Sequence, residues 1–200
     1  SSTQVPPAFS MSVFRLGHEV RVRPSTTSAS TSVHGAWQIA PTGLPSLKKS
    51  LTNLTALGSV RSIAFDPYGL YGHQMIVATN AGTIYRVSNT GVATLLASVG
   101  EDAEGLSFAP QAFGPYAKGT LMVASEGSGK LRAISPSGAI TDVVTIAGGA
   151  EMVSFVPMNL GSSGNPVEGF YAANYPNNII KADASQFMPY LGHAIITAEI

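Results

Sequence analysis

A chain of 200 residues is long enough to bury one substantial core. Lys and Arg number 11 and Asp and Glu number 11, so the formal charge is zero, and charged residues supply only 11% of the chain against an ordinary share of about a quarter. A neutral chain has no electrostatic drive toward nucleic acid, a chain without cysteine has neither disulfides nor thiolate chemistry, and no stretch reaches the roughly 18 apolar residues of a membrane-spanning helix.

The neutrality hides an asymmetry: residues 1–100 carry seven basic and two acidic side chains, residues 101–200 four basic and nine acidic ones. One reading is simple drift in surface composition; the other is a dipolar molecule whose basic end meets the acidic end of a neighbour. With 21 Gly and 13 Pro in a low-charge background, the composition suits short strands and tight turns. It is the composition expected of a secreted or cell-surface protein. The start at Ser1, without Met, reads as a processed mature terminus or a trimmed one.

In chain order, residues 1–7 are polar and end in proline. Two strands are expected next: one at 9–16 with Phe9, Met11, Val13, Phe14 and Leu16, and one at 19–23, where alternation puts Val20 and Val22 on one face. Residues 24–32 form a Ser/Thr-rich connector with too little apolar content to pack. This divides the chain into an N-terminal strand segment and connector, 1–32, and a domain at 33–200. Within the latter, 36–39 reads as a strand, and 44–57 as a short helix or an irregular first repeat.

From Val60 a pattern recurs. Arg61 to Phe65 (RSIAF), Glu104 to Phe108 (EGLSF) and Glu151 to Phe155 (EMVSF) place their phenylalanines 43 and 47 residues apart. A short apolar strand comes after each motif, at 75–78, 121–124 and 169–172, and then a turn and another strand. Self-similarity at that period is the sequence signature of four-stranded propeller blades. The expected fold class is therefore all-β, a β-propeller-like array with blades near 60–97, 104–146 and 151–200. Three blades cannot close a ring, since propellers have four to eight. The deficit would be met by an irregular N-terminal blade, by another chain, or by an open array pairing its edges with neighbours.

The repeats around Phe65 to Gly69, Glu104 to Pro110, Phe113 to Tyr116 and Glu126 to Gly138 resemble blades of secreted bacterial propellers of the NHL-repeat and gluconolactonase-like group. That resemblance covers residues 60–200 and its motifs specify architecture more than activity. It implies a divalent cation, Ca2+ for instance, in a central channel, held by a Glu in a Glu-Gly context at the start of an innermost strand. Glu104 followed by Gly105 matches, and Glu151 holds the equivalent place in the next repeat. The first repeat departs from the pattern with Arg61, and the family's other ligands and catalytic acid have no counterpart. The plainer alternative is that these glutamates bond neighbouring loops or pair with Arg61.

Other chemistry is sparse. His18, His34, His73 and His193 are scattered, the Gly-rich segments lack a phosphate-loop Lys-Ser/Thr, and no Gly-x-Ser-x-Gly occurs. Tyr68, Tyr116, Tyr171 and Tyr175 fall in or beside expected loops, where aromatic rings either stack on a glycan or pack over strand edges.

These features favour a non-enzymatic extracellular protein that binds or assembles with copies of itself, without a resident cofactor, the strand at 9–16 being donated between chains. A metal-dependent, lactonase-like hydrolase using Glu104 and Glu151, and a carbohydrate-binding propeller, are the alternatives.

Overall fold

A computed structural model of the chain describes residues 59–174 and 178–198, together with two strands at 35–38 and 48–53. The described chain is all-β. A two-stranded pair, β1 (Gly35–Gln38) and β2 (Lys48–Asn53), precedes two four-stranded antiparallel meanders. The first meander runs β3 (Val60–Phe65), β4 (Met75–Thr79), β5 (Thr83–Val87) and β6 (Ala93–Ser98); the second runs β7 (Ala103–Phe108), β8 (Leu121–Ser125), β9 (Lys130–Ile134) and β10 (Ile140–Thr145). β11 (Met152–Phe155), β12 (Gly169–Asn174), β13 (Asn178–Asp183) and β14 (Ala194–Thr197) complete the described strands, with single 3-10 turns at Ala184–Gln186 and Met188–Tyr190.

Alternation along the strands builds the layers. Met75 and Val77 of β4 point to one face of the first meander, Ile76 and Ala78 to the other, and all are buried. The second face packs Ile76, Ala78, Ile84 and Leu96 against Leu106, Phe108, Leu121, Val123 and Ile134 of the second meander. The far face of that meander packs Met122, Ala124, Leu131 and Ala133 against Val153 of β11, with Ile196 of β14 beside them. β4 and β8 are thus buried on both faces, each large aliphatic side chain contributing roughly 1.5–3 kcal/mol of burial.

A polar pin holds the two meanders together. Asp66, 3% exposed, accepts the backbone N–H groups of Tyr68, Gly69, Tyr71 and His73 at 2.7–3.1 Å, which folds the loop after β3 into one compact turn. That turn buries Tyr71, whose ring lies 5.6 Å from that of Phe108. Its hydroxyl donates to the Ile134 carbonyl and accepts the Leu121 N–H at 3.0 Å, both in the second meander.

The propeller array expected from the repeats is not what the chain forms. β11 pairs with β14, and β12 pairs with β13 in a separate sheet. Among the described residues the third motif therefore opens no four-stranded meander, and the sheets close no ring. The physical reason lies in the 156–168 connection, which carries Pro157 and Pro166 among Gly, Ser and Asn and separates β11 from the strand that should pair with it. What the motif marks is stacking: β3 packs on β7, and β7 packs on β11. Gly105 in the motif's second copy is dictated by that contact, since a Cβ there would lie 2.7 Å from the Val153 nitrogen and 2.8 Å from the Met152 Cα.

The self-assembling propeller array expected from the repeats, as a completed ring or as an open array, is overturned by this sheet topology. The strands expected at 9–16 and 19–23 lie outside the described residues. Within 44–57, where the sequence is compatible with a helix or an irregular repeat, residues 48–53 are a strand.

Candidate metal centre

Arg61 and Glu104 occupy matching places in consecutive sheets, and both sit at β-bulges. The register of β3 against β4 slips between Val60 and Ser62, and that of β7 against β8 slips between Ala103 and Gly105. A bulge re-aims the side chain of its extra residue. Because β3 packs on β7, the two side chains meet, with Arg61 Nε 3.3 Å from Glu104 Oε1.

Two further carboxylates join them. Asp102 precedes β7, and its Oδ1 accepts from Arg61 Nε at 2.9 Å while Oδ2 accepts from Nη2. Glu126 opens the turn between β8 and β9, beside Asp102, because antiparallel pairing sets the start of β7 against the end of β8, Ala103 opposite Ser125. One ligand oxygen from each of Asp102, Glu104 and Glu126 lies within 4.8 Å of the others. Glu104 is only 4% exposed.

The turn carrying Glu126 is held from outside the cluster. Glu101 accepts the Ser128 N–H at 2.6 Å and the Ser128 hydroxyl at 2.8 Å. Arg132, 8% exposed, donates to Glu101 Oε1 at 2.6 Å, to Asp142 at 3.2 Å and to the Ser125 hydroxyl. Burial acts to raise the Glu101 pKa, but the bonds from Ser128 and the Arg132 guanidinium outweigh it and hold the carboxyl below its ordinary value. For Arg61, burial favours the neutral form; the bond to Asp102 and the charges of Glu104, Asp102 and Glu126 override it and raise its pKa.

Three carboxylates against one guanidinium leave an excess of negative charge in a partly desolvated place. The donors are all hard oxygens, and two oxygens on a cation at about 2.4 Å can stand at most about 4.8 Å apart. The donor set and its spacing fit a divalent cation of the Ca2+, Mg2+ or Mn2+ type and nothing in them selects calcium. Such an ion would displace Arg61 from its bonds to Asp102 and Glu104.

Of the two glutamates expected to share a cation, Glu104 is in the cluster and Glu151 is not among the three whose oxygens converge. Glu151 precedes β11, and its backbone carbonyl borders Gly105. The alternative pairing of Glu104 with Arg61 is present. Sequence reasoning misses Asp102 and Glu126. Their signal lies in the pairing of β7 with β8, which brings acids flanking opposite ends of two strands to one place.

Tyr68 lies in the Asp66 turn with Lys118 Nζ 4.9 Å from its ring, Tyr116 in the loop between β7 and β8, and Tyr171 on β12, its hydroxyl donating to the Val167 carbonyl at 2.6 Å. Tyr175 is outside the described residues. No described helix is long and apolar enough to cross a membrane.

Compared with known protein families and with curated protein sequences, the chain matches none. The resemblance to NHL-repeat and gluconolactonase-like propellers thus has neither a matching family nor the sheet topology behind it.

Proposed function

We propose that Asp102, Glu104 and Glu126 form a divalent-cation centre and that the protein is a metal-dependent hydrolase. The single observation carrying this reading is the convergence of three carboxylate oxygens within 4.8 Å, one of the residues being almost fully buried. A bound cation would supply Lewis acidity toward a carbonyl or a water molecule. The chain's own part is to fix the three oxygens: bulged β7 aims Glu104, and the Glu101–Ser128–Arg132 lattice holds the Glu126 turn. A guanidinium beside such a centre also offers donors for charge developing on a substrate oxygen.

A second reading rests on the paired contact of Arg61 with Asp102: the cluster is a structural ion-pair hub joining the first strands of two sheets. Calorimetric titration with CaCl2, MgCl2 and MnCl2 separates the two. The metal reading expects saturable binding to the wild type, a rise in Tm with metal that EDTA reverses, and loss of both in Glu104→Gln. No binding by the wild type leaves Arg61 as the cluster's counter-ion and ends the metal reading. Hydrolysis is supported only if a neutral ester or lactone panel shows turnover that tracks metal loading. An extracellular location belongs to the same proposal, supported by the low charged content, and cell fractionation tests it.

A further inference from the structure

Away from the carboxylates, on the flank of the second meander, lies a hollow of about 210 Å3. Its floor is Ala133 of β9, 3% exposed and paired across the sheet with Met122 of β8 and Thr141 of β10. One wall is the loop between β7 and β8. Backbone bonds from Phe113 to Tyr116 and back, at 2.9 and 3.1 Å, fix it, as does the Thr120 N–H on the Ala117 carbonyl at 3.1 Å. The opposite rim is the turn from Ser135 to Ala139, closed by the Ser135 N–H on the Ala139 carbonyl at 2.9 Å and the Ala139 N–H on the Ser135 hydroxyl at 3.0 Å. Both walls are thus preformed.

Small side chains create this space. Ala117, Ala133 and Ala139 line it where larger residues would fill it. No charged side chain lines it. Tyr116, Thr120 and Thr141 do, and their hydroxyls make no hydrogen bond among the described residues.

We infer that this hollow is a binding site for a single neutral sugar ring. The volume lies below the roughly 300–1,000 Å3 that encloses a drug-sized ligand, so one ring is the limit. An ionic ligand would lose its hydration with no opposite charge to compensate. A purely apolar one would leave three hydroxyls unpaired. A pyranose offers an apolar C–H face to the Tyr116 ring and hydroxyls, each both donor and acceptor, to Thr120 and Thr141. This site is independent of the carboxylate centre.

The test is an amide-resolved NMR titration of the full chain with methyl α-D-glucopyranoside, methyl α-D-galactopyranoside and methyl α-D-mannopyranoside. Saturable shifts confined to 116–120 and 133–141 are expected with at least one of them, at a Kd of order 1–10 mM. Ala133→Leu fills the floor and abolishes the shifts; Thr141→Val, nearly isosteric and on an exposed strand position, weakens binding roughly tenfold, and serves if the leucine variant fails to fold. Glucuronate, charged but otherwise similar, binds more weakly than the neutral glucoside. Absence of saturation by all three glycosides up to about 50 mM overturns the inference. So does binding to Thr141→Val or to folded Ala133→Leu that equals the wild type's.

Discussion

The two meanders and the C-terminal strands begin with the same five-residue motif and end in different structures. In residues 60–145 each motif opens a four-stranded sheet whose second strand is buried along its whole length. In residues 152–197 the motif opens a two-stranded pair, and β13 is exposed, with Ile179 at 69% and Ile180 at 53%. The leading motif governs how first strands stack; the connection after it governs whether a sheet forms. After β3 and β7 come loops tied by Asp66 and by the Phe113–Tyr116 bridge, which return the chain to the strand just left. After β11 comes a Pro- and Gly-interrupted connection, and the neighbouring place is taken by β14.

The loop carboxylates separate the two regions by the widest margin. Asp66→Ala strips the acceptor from four backbone N–H groups in the loop that pins the meanders, and should cost roughly 3–5 kcal/mol in urea unfolding. Glu168→Ala, removing exposed bonds to Gly161 and Ser163, should cost under about 1 kcal/mol. Equal losses would mean that the two regions are stabilised alike.

A methyl group at the stacking contact comes next. Gly105→Ala drives a carbon into the β11 backbone and should destabilise by about 1–3 kcal/mol, read as a fall in the urea midpoint at unchanged slope. Stability within a few tenths of a kcal/mol of wild type would show that β7 and β11 are not in contact at Gly105.

The lattice behind the Glu126 turn makes a smaller, pH-dependent contribution. The pKa of Glu101 is depressed in the folded chain, so its stabilisation is present above its ordinary value of 4.5 and lost as pH falls through the folded value. Glu101→Gln should therefore cost about 1 kcal/mol at neutral pH, discounted for partial exposure, and flatten the acid limb of stability against pH. A mutant profile parallel to the wild type's would show that Glu101 contributes nothing to the acid limb.

The smallest effect belongs to β13. Ile180→Thr on this exposed strand should change stability by less than about 0.5 kcal/mol, and the β13 amides should exchange with solvent far faster than those of β4 and β8. Comparable protection in β13 would show that the hairpin is covered.

Much of the secondary structure is legible in the sequence because alternation and turn residues are local. In the first repeat the motif at 61–65 and the strand expected at 75–78 fall within a residue of β3 (Val60–Phe65) and β4 (Met75–Thr79). The partner of Met152–Phe155 is not legible: which strand lies beside it depends on the path of a long connection, and periodicity says nothing about that path. The site divides in the same way. Glu104 and Arg61 stand out because they hold one position in a repeat, and the structure joins them. Asp102 and Glu126 hold no repeated position; they come together through pairing of β7 with β8 and through a turn that Glu101 closes. Glu151 shares the motif position, yet its strand pairs with β14 in unbroken register, without the bulge that aims Glu104.

Whether Asp102, Glu104 and Glu126 hold a cation is tested most directly by an anomalous difference map from crystals grown with MnCl2. The expected result is a peak between the three carboxylates, with the Arg61 guanidinium moved off Asp102. A map without a peak there, with Arg61 still paired to Asp102 at saturating Mn2+, would contradict the metal centre.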